Sequence, residues 1–168
     1  EIVNLQKQYR SIPTIGNVFS HFTYNGILEH HRTLDQQKPL NIKGLDFKDI
    51  NIIKFPVSKF ESIYKPNTLN KSNYQVYSAL FTVEFVNNLS NQIAKTHKDK
   101  FRIGVICPYK AQATLIEKLL AQQHIDNDKT EIQIGTIHGF QGDECDIIVA
   151  IFNPPFSISK SPNMFLNK

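Results

Sequence analysis

The stretch from Ile134 to Ala150, IGTIHGFQGDECDIIVA, decides how the rest of the chain is read. Ile132 to Ile137 has the make-up of a short strand and Ile147 to Phe152 that of another, both rich in the β-branched residues that suit a buried sheet. Between them stand two glycines, a histidine, a glutamine and three carboxylates. So polar a turn between two apolar strands needs either a solvated face or a ligand.

Working outward, FRIGVICP (Phe101 to Pro108) predicts a strand, and YKAQATLIEKLLAQQ a helix begun near Pro108. Ser72 or Asn73 is placed to cap a long helix running to about Thr96, with Tyr77, Phe81, Phe85, Leu89 and Ile93 spaced along one buried face. INIIKFPV (Ile50 to Val57) reads as a strand that stops at Pro56. From Ile50 the order is strand, helix, strand, helix, strand, turn, strand, which predicts a parallel sheet with helices packed on its faces. Nearer the start, Pro13 opens an amphipathic helix carrying Ile15, Val18, Phe19 and Phe22, and Asn25-Gly26 ends it. Residues 29 to 49 and 58 to 73 show no sustained period and read as connections.

A chain of 168 residues and 19.3 kDa is long enough for one core, and a single domain is expected. With 40% hydrophobic and 20% charged residues the composition is that of a soluble globular protein. No apolar run is long enough to span a bilayer, so no membrane partner is expected. Glu1 to Arg10 lacks the layout of a signal peptide, and a start at Glu1 with a proline-rich tail from 154 to 168 suggests a piece of something longer. Cys107 and Cys145 show no metal-ligand spacing with the six histidines, so two thiols in a reducing, cytoplasmic compartment are expected and no metal site. Net charge is +4, with the basic excess in the first 110 residues, an arrangement open to phosphates or to solvent alone.

In an open parallel sheet ligands gather outside the carboxyl ends of the strands. Cys107-Pro108-Tyr109-Lys110 lies at one such end, Thr136-Ile137-His138-Gly139 at the next, and Gln141-Gly142-Asp143-Glu144 completes the turn. Taken singly, each has a plain structural explanation: a helix start, a hydrogen-bonded surface histidine, a solvated acidic face. Their shared location is what favours a site. No Gly-Lys pair occurs anywhere, so the phosphate-cradling loop of a nucleotide hydrolase is missing, and the chain alone should not hydrolyse a nucleotide.

Three segments carry a resemblance. LQKQYRSIPTIGNVFSHFTYNGIL (Leu5 to Leu28) resembles the LxxQYRMxPxIxxFxSxxFYxGxL segment that opens the second motor domain of superfamily 1 helicases, in the branch of the nonsense-mediated-decay RNA helicase. IGVICPYKAQATLIEKLL is similar to that branch's xxVITPYxxQxxxIxxxL, and IQIGTIHGFQGDECDIIVAIF to its xVxTVHxFQGxExDxVIxS. The three keep chain order and cover nearly the whole sequence. Ser11 and Cys107 replace the usual Met and Thr, and Asn153-Pro154-Pro155 the usual Ser-x-x-Arg region. The family's following Asn-Val-Ala-x-(Thr/Ser)-Arg-Ala run does not occur before Lys168.

The resemblance implies a three-layer RecA-like α/β domain of the P-loop NTPase superfamily, mainly parallel and lacking its own P-loop. It implies the second motor domain of an ATP-dependent 5′-to-3′ DNA or RNA helicase or translocase, inactive by itself. The first RecA-like domain of the same parent would supply the P-loop and the Mg²⁺ ligands. By this carry-over Gln8 and Tyr9 bind ATP, Tyr9 by stacking on the adenine, and Arg10 reaches the γ-phosphate. Gly142 and Glu144 face the nucleotide. Pro108, Tyr109, Thr136 and His138 face single-stranded nucleic acid. The competing reading is a non-catalytic α/β module that binds nucleic acid or a partner protein without ATP.

Overall fold

A computed structural model describes residues 6–36, 40–42, 44, 46–54 and 65–152. They fall into two compact units, Glu1–Lys54 and Phe55–Lys168.

In the first unit, β1 (Lys7–Gln8) and β2 (Glu29–His30) pair in parallel, joined by α1 (Pro13–Tyr24). The first helical turn leaves its amides without intrahelical partners, so Pro13, which has no N–H, fits there. Asn25 and Gly26 take positive φ (51° and 79°), and the Gly26 N–H donates to the Ser20 carbonyl at 3.0 Å, closing the helix end as expected. The apolar stripe lies otherwise than its periodicity predicts. Gly16 and Ser20 are the buried positions of α1, whereas Ile15, Val18 and Phe22 are exposed. Residues 29 and 30, expected in a connection, form β2 instead. Two residues pair too briefly to leave a pattern in sequence.

In the second unit, β3 (Asn67–Leu69) and β4 (Ser72–Tyr74) form an antiparallel hairpin. Its two-residue turn, Asn70-Lys71, has both φ positive, the twist that two-residue hairpins require. Next come α2 (Val76–Thr96), β5 (Phe101–Cys107), α3 (Lys110–Leu120), β6 (Thr130–Thr136), a 3₁₀ turn (Ile137–Phe140) and β7 (Ile147–Ala150). The sheet order is β6-β5-β7, all parallel. The fold is thus α/β with a mainly parallel sheet, as the alternation of elements predicts.

Alternate residues of β5 separate the two faces. Val105 and Cys107 join Ala79, Val83 and Val86 of α2 and Ala113, Ile116 and Leu120 of α3 in one core, with Ile132, Ile134 and Val149 packed against it. Between α2 and β6 the Ser90 hydroxyl donates to Thr130 Oγ1 at 2.6 Å and the Thr130 hydroxyl donates to the Asp126 carbonyl, so both of these fully buried groups are satisfied.

Three sequence expectations change here. Ile50 to Lys54 forms no strand, and the rest of that predicted strand lies outside the described residues, as does the tail from 154. The long helix begins at Val76, because Ser72 and Asn73 belong to β4. Of the predicted stripe, Leu89 and Ile93 are buried as expected, but Tyr77, Phe81 and Phe85 are only half-buried, and Ala79, Thr82, Val83, Val86 and Ser90 make up the rest of the buried face. Small residues let α2 approach the sheet, while Phe81 and Phe85 stack on its flank with ring centroids 6.2 Å apart.

Candidate functional site

β6 and β7 are not neighbours. Each flanks β5, so the segment from Ile137 to Asp146 crosses from the carboxyl end of β6 back to the amino end of β7. It does so without an α-helix, through only the short 3₁₀ turn, and is shorter than most parallel crossovers. Gly104 and Gly135 make this possible: a Cβ at Gly104 would stand 2.8 Å from the Phe140 ring, and one at Gly135 would stand 3.2 Å from it. Phe140, only 9% exposed, therefore lies flat on a glycine floor. Gln133 on β6 donates to Asp143 at 2.6 Å. The Arg102 guanidinium donates to the Glu144 carbonyl at 2.9 Å, and the Asp146 carboxylate accepts from the Arg102 N–H at 2.8 Å. The polar residues of the crossover thus serve partly to strap it to the sheet.

The structure brings Pro108, Tyr109, Thr136 and His138 to one edge. Cys107 pairs with Thr136, so the chain leaves β5 and β6 side by side, about 5 Å apart. Thr136 is half-buried and His138 exposed, while Pro108 and Tyr109 are half-buried at the start of α3. Two side chains fix that start: Ser72 Oγ accepts from the Ala111 N–H at 2.9 Å, and the fully buried Gln112 accepts from the Gln75 N–H at 2.7 Å. Gln112 also donates to the Gln75 carbonyl and the Ser78 hydroxyl, locking the beginnings of α2 and α3 together.

Gly142 and Glu144 sit apart from that edge. The Asp146 N–H donates to the Arg102 carbonyl, which places this end of the crossover about 17 Å down the sheet from Cys107, counting five residues of strand. Gly142 has φ 97° and is exposed, as is Glu144. A backbone at that φ favours glycine, although nothing lies within 4 Å of where a Cβ would stand.

Gln8, Tyr9 and Arg10 belong to the first unit. Tyr9 is 62% exposed, with its ring against that of His31 at a centroid distance of 4.5 Å. Arg10 is exposed too. Gln8 behaves differently from the pair it precedes, because its amide is taken up by the chain itself: it accepts from the Arg10 and Ser11 N–H groups at 3.0 and 2.9 Å and donates to the Ser11 carbonyl at 2.7 Å. Sequence reasoning missed His30, His31, Asn17 and Gly16 around this turn. The one signal was Gly16 inside a helix, where a glycine usually marks close packing.

Both cysteines are free thiols. Burial pushes Cys107 up to about 12. Cys145 is raised as well, first by burial, with Arg102 opposing and Asp143, Asp146 and Glu131 adding to the shift. Neither is poised as a nucleophile. Among the described residues no cluster could hold a metal ion, and no helix is long and apolar enough to cross a membrane.

The AAA domain family matches residues 1–152. This chain belongs to it. Over 155 residues it is 29% identical to the DNA polymerase alpha-associated DNA helicase A of Saccharomyces cerevisiae, covering 86% of the chain and 22% of that protein. Over 154 residues it is 29% identical to an uncharacterized ATP-dependent helicase of Methanocaldococcus jannaschii, covering 88% of the chain and 21% of that protein. This AAA domain thus spans about a fifth of the length of the curated relatives it matches.

Proposed function

We propose that this AAA domain is the second motor domain of an ATP-dependent superfamily 1 helicase or translocase, close to the nonsense-mediated-decay branch and moving 5′-to-3′ on single-stranded DNA or RNA. The observation that carries the reading is the turn at Tyr9 and Arg10. A glutamine amide closes it on the inside, while the aromatic side chain of Tyr9 and the guanidinium-bearing side chain of Arg10 are both exposed. A flat apolar face suits a purine, and a planar fork of donors suits phosphate oxygens. Only three of the 19 basic residues are arginines, and one stands here. The helicase names of the relatives support the same reading.

In this function Tyr9 stacks on the adenine of ATP and Arg10 stabilises the charge developing on the γ-phosphoryl oxygens. In the second unit, Gly142, through its amide, and Glu144, at the ribose, are the nucleotide contacts that the resemblance implies. Pro108, Tyr109, Thr136 and His138, gathered at the carboxyl edge, hold the phosphates of the strand. The crossover carries residues of both sets, so a shift on one ligand reaches the other through a single strapped segment. The P-loop and Mg²⁺ ligands belong to the first RecA-like domain of the parent protein, which works in the cytoplasm.

Arg10 gives the test. In the full-length protein with nucleic acid present, Arg10→Ala should lower single-turnover ATP hydrolysis by on the order of 10³-fold, with nucleotide affinity changed far less. Arg10→Lys keeps the charge without the fork and should resemble Arg10→Ala. Near-normal hydrolysis by Arg10→Lys removes the finger assignment. Hydrolysis that stays robust in a protein lacking any upstream P-loop removes the two-domain reading altogether.

A further inference from the structure

Gln8 has two acceptor positions on its amide oxygen and two protons on its amide nitrogen. The oxygen takes the Arg10 and Ser11 N–H groups, and the nitrogen gives one proton to the Ser11 carbonyl. These backbone partners decide which end of the amide is oxygen, since a flipped amide would set donor against donor and acceptor against acceptor. The second proton then points at His30 Nδ1, 2.8 Å away. His30 must accept there, so it carries its own proton on Nε2, and Asn17 Oδ1 stands 2.8 Å from that atom to receive it. Donation in this hydrogen-bond chain thus runs one way, from the turn at Arg10 through Gln8 and His30 of β2 to Asn17 on α1.

The chain lies tight against the helix. A Cβ on Gly16 would fall 2.5 Å from the His30 ring and 2.9 Å from the Gln8 amide nitrogen, so only glycine leaves room for it. With every donor and acceptor of Gln8 engaged, its side chain keeps no capacity for a ligand.

We propose that His30 is a positioning residue for Arg10, acting through Gln8, and that Gln8 shapes the nucleotide site without touching the nucleotide. The proposal rests on Arg10 being the phosphate-contacting group. His30 fixes the Gln8 amide, the amide fixes the Arg10 and Ser11 backbone, and the backbone fixes where the guanidinium can stand. Hydrolysis depends steeply on that placement, because a displacement of about 1 Å in a reacting group can cost on the order of 10²-fold in rate.

The experiment is single-turnover ATP hydrolysis by the full-length protein with single-stranded nucleic acid, read beside ATP affinity. His30→Leu removes both ring nitrogens and should slow hydrolysis by about tenfold to a hundredfold. His30→Asn puts an amide oxygen near the place of Nδ1 and should recover most of the rate, whereas His30→Gln reaches the place of Nε2 and should not. In an Arg10→Ala background His30→Leu should cost nothing further, since the group it positions is gone. An equal loss in both backgrounds would mean general destabilisation and would overturn the proposal, as would equal rates for the Asn and Gln variants. If Arg10→Ala is slow while His30→Leu is normal, the positioning role fails and the helicase reading stands. If Arg10→Ala itself is normal, that reading fails and takes this proposal with it.

Discussion

The turn at Tyr9 and Arg10 is held by the two ends of one glutamine amide, and the side chains it presents are largely exposed. Pro108, Tyr109, Thr136 and His138 instead leave a sheet whose central strand has Ile103, Val105 and Cys107 at zero exposure. Directional hydrogen bonds fix geometry closely yet contribute only about 1 kcal/mol each in net stability. Apolar burial contributes more and is indifferent to direction. Substitutions around the first region should therefore change rates more than stability, and substitutions under the second should do the reverse.

Phe140 tests the apolar side of that contrast hardest. Its ring lies on Gly104 and Gly135, and a glycine floor has no side chain that can move into a vacated space. Phe140→Ala should destabilise the purified chain by about 3 kcal/mol, in the range of large-to-small core changes. Gly104→Ala should act in the same direction by about 1–3 kcal/mol, because the added methyl meets both Phe140 and Ile148 at 2.8 Å. Denaturant unfolding measures both. A loss under about 0.5 kcal/mol for Phe140→Ala, the range of ordinary surface changes, would mean that the crossover hangs on its polar straps and that the contrast between the regions is false.

How far each region was legible follows from the same difference. β5, β6 and α3 were readable because their signals are local: β-branched runs, a proline at the strand end, apolar residues at helical spacing. Ser72 misled because its hydroxyl caps a different helix, α3, at Ala111, 39 residues along the chain. Only the aromatic part of the predicted α2 stripe misled, because periodicity cannot distinguish a fully buried face from its half-buried margin, where the Phe81 and Phe85 rings stack. Tyr9 and Arg10 stood out only through resemblance, and no local pattern indicated the turn that holds them. Gln8 and His30, 22 residues apart, meet through a hydrogen bond that no local pattern announces. The same holds for the crossover, which the sequence reads as a turn without indicating that β5 lies between the two strands it joins.

Gln112 offers a smaller effect that sharpens the comparison, since it is a directional clasp set inside the apolar unit. Fully buried, it gives the Gln75 N–H its acceptor and donates to the Gln75 carbonyl and Ser78. Gln112→Leu fills a similar volume but removes those partners, and should lower stability by about 2 kcal/mol, the usual cost of leaving buried polar groups unmatched. Because the clasp sets the start of α3, single-strand affinity should also fall. Measuring unfolding and oligonucleotide binding on one preparation separates the two effects. A stability loss with unchanged affinity would detach the start of α3 from the strand edge and weaken the assignment of Pro108 and Tyr109.

The smallest expected effect concerns Cys107, where the family segment has Thr. Its thiol is buried among Val83, Val105 and Ile116, and loss of solvent raises it from an ordinary value of 9.0 to about 12. The folded state therefore holds the proton more tightly than the unfolded chain does. The stabilisation is complete below 9.0 and is lost as pH rises towards about 12, where the folded form also releases the proton. Cys107→Ala removes the thiol and leaves a small gap, costing on the order of 1 kcal/mol at neutral pH for one lost heavy atom. Other groups titrate in alkali too, but they are common to both proteins and cancel in the difference. The stability gap between wild type and Cys107→Ala should thus be constant up to about pH 8.5 and shrink above it, and matched denaturant curves across that window read it directly. A gap that stays constant through the window would mean that the thiolate is solvated in the folded protein, and that the core beneath Pro108 and Tyr109 is more open than the packing of β5 implies.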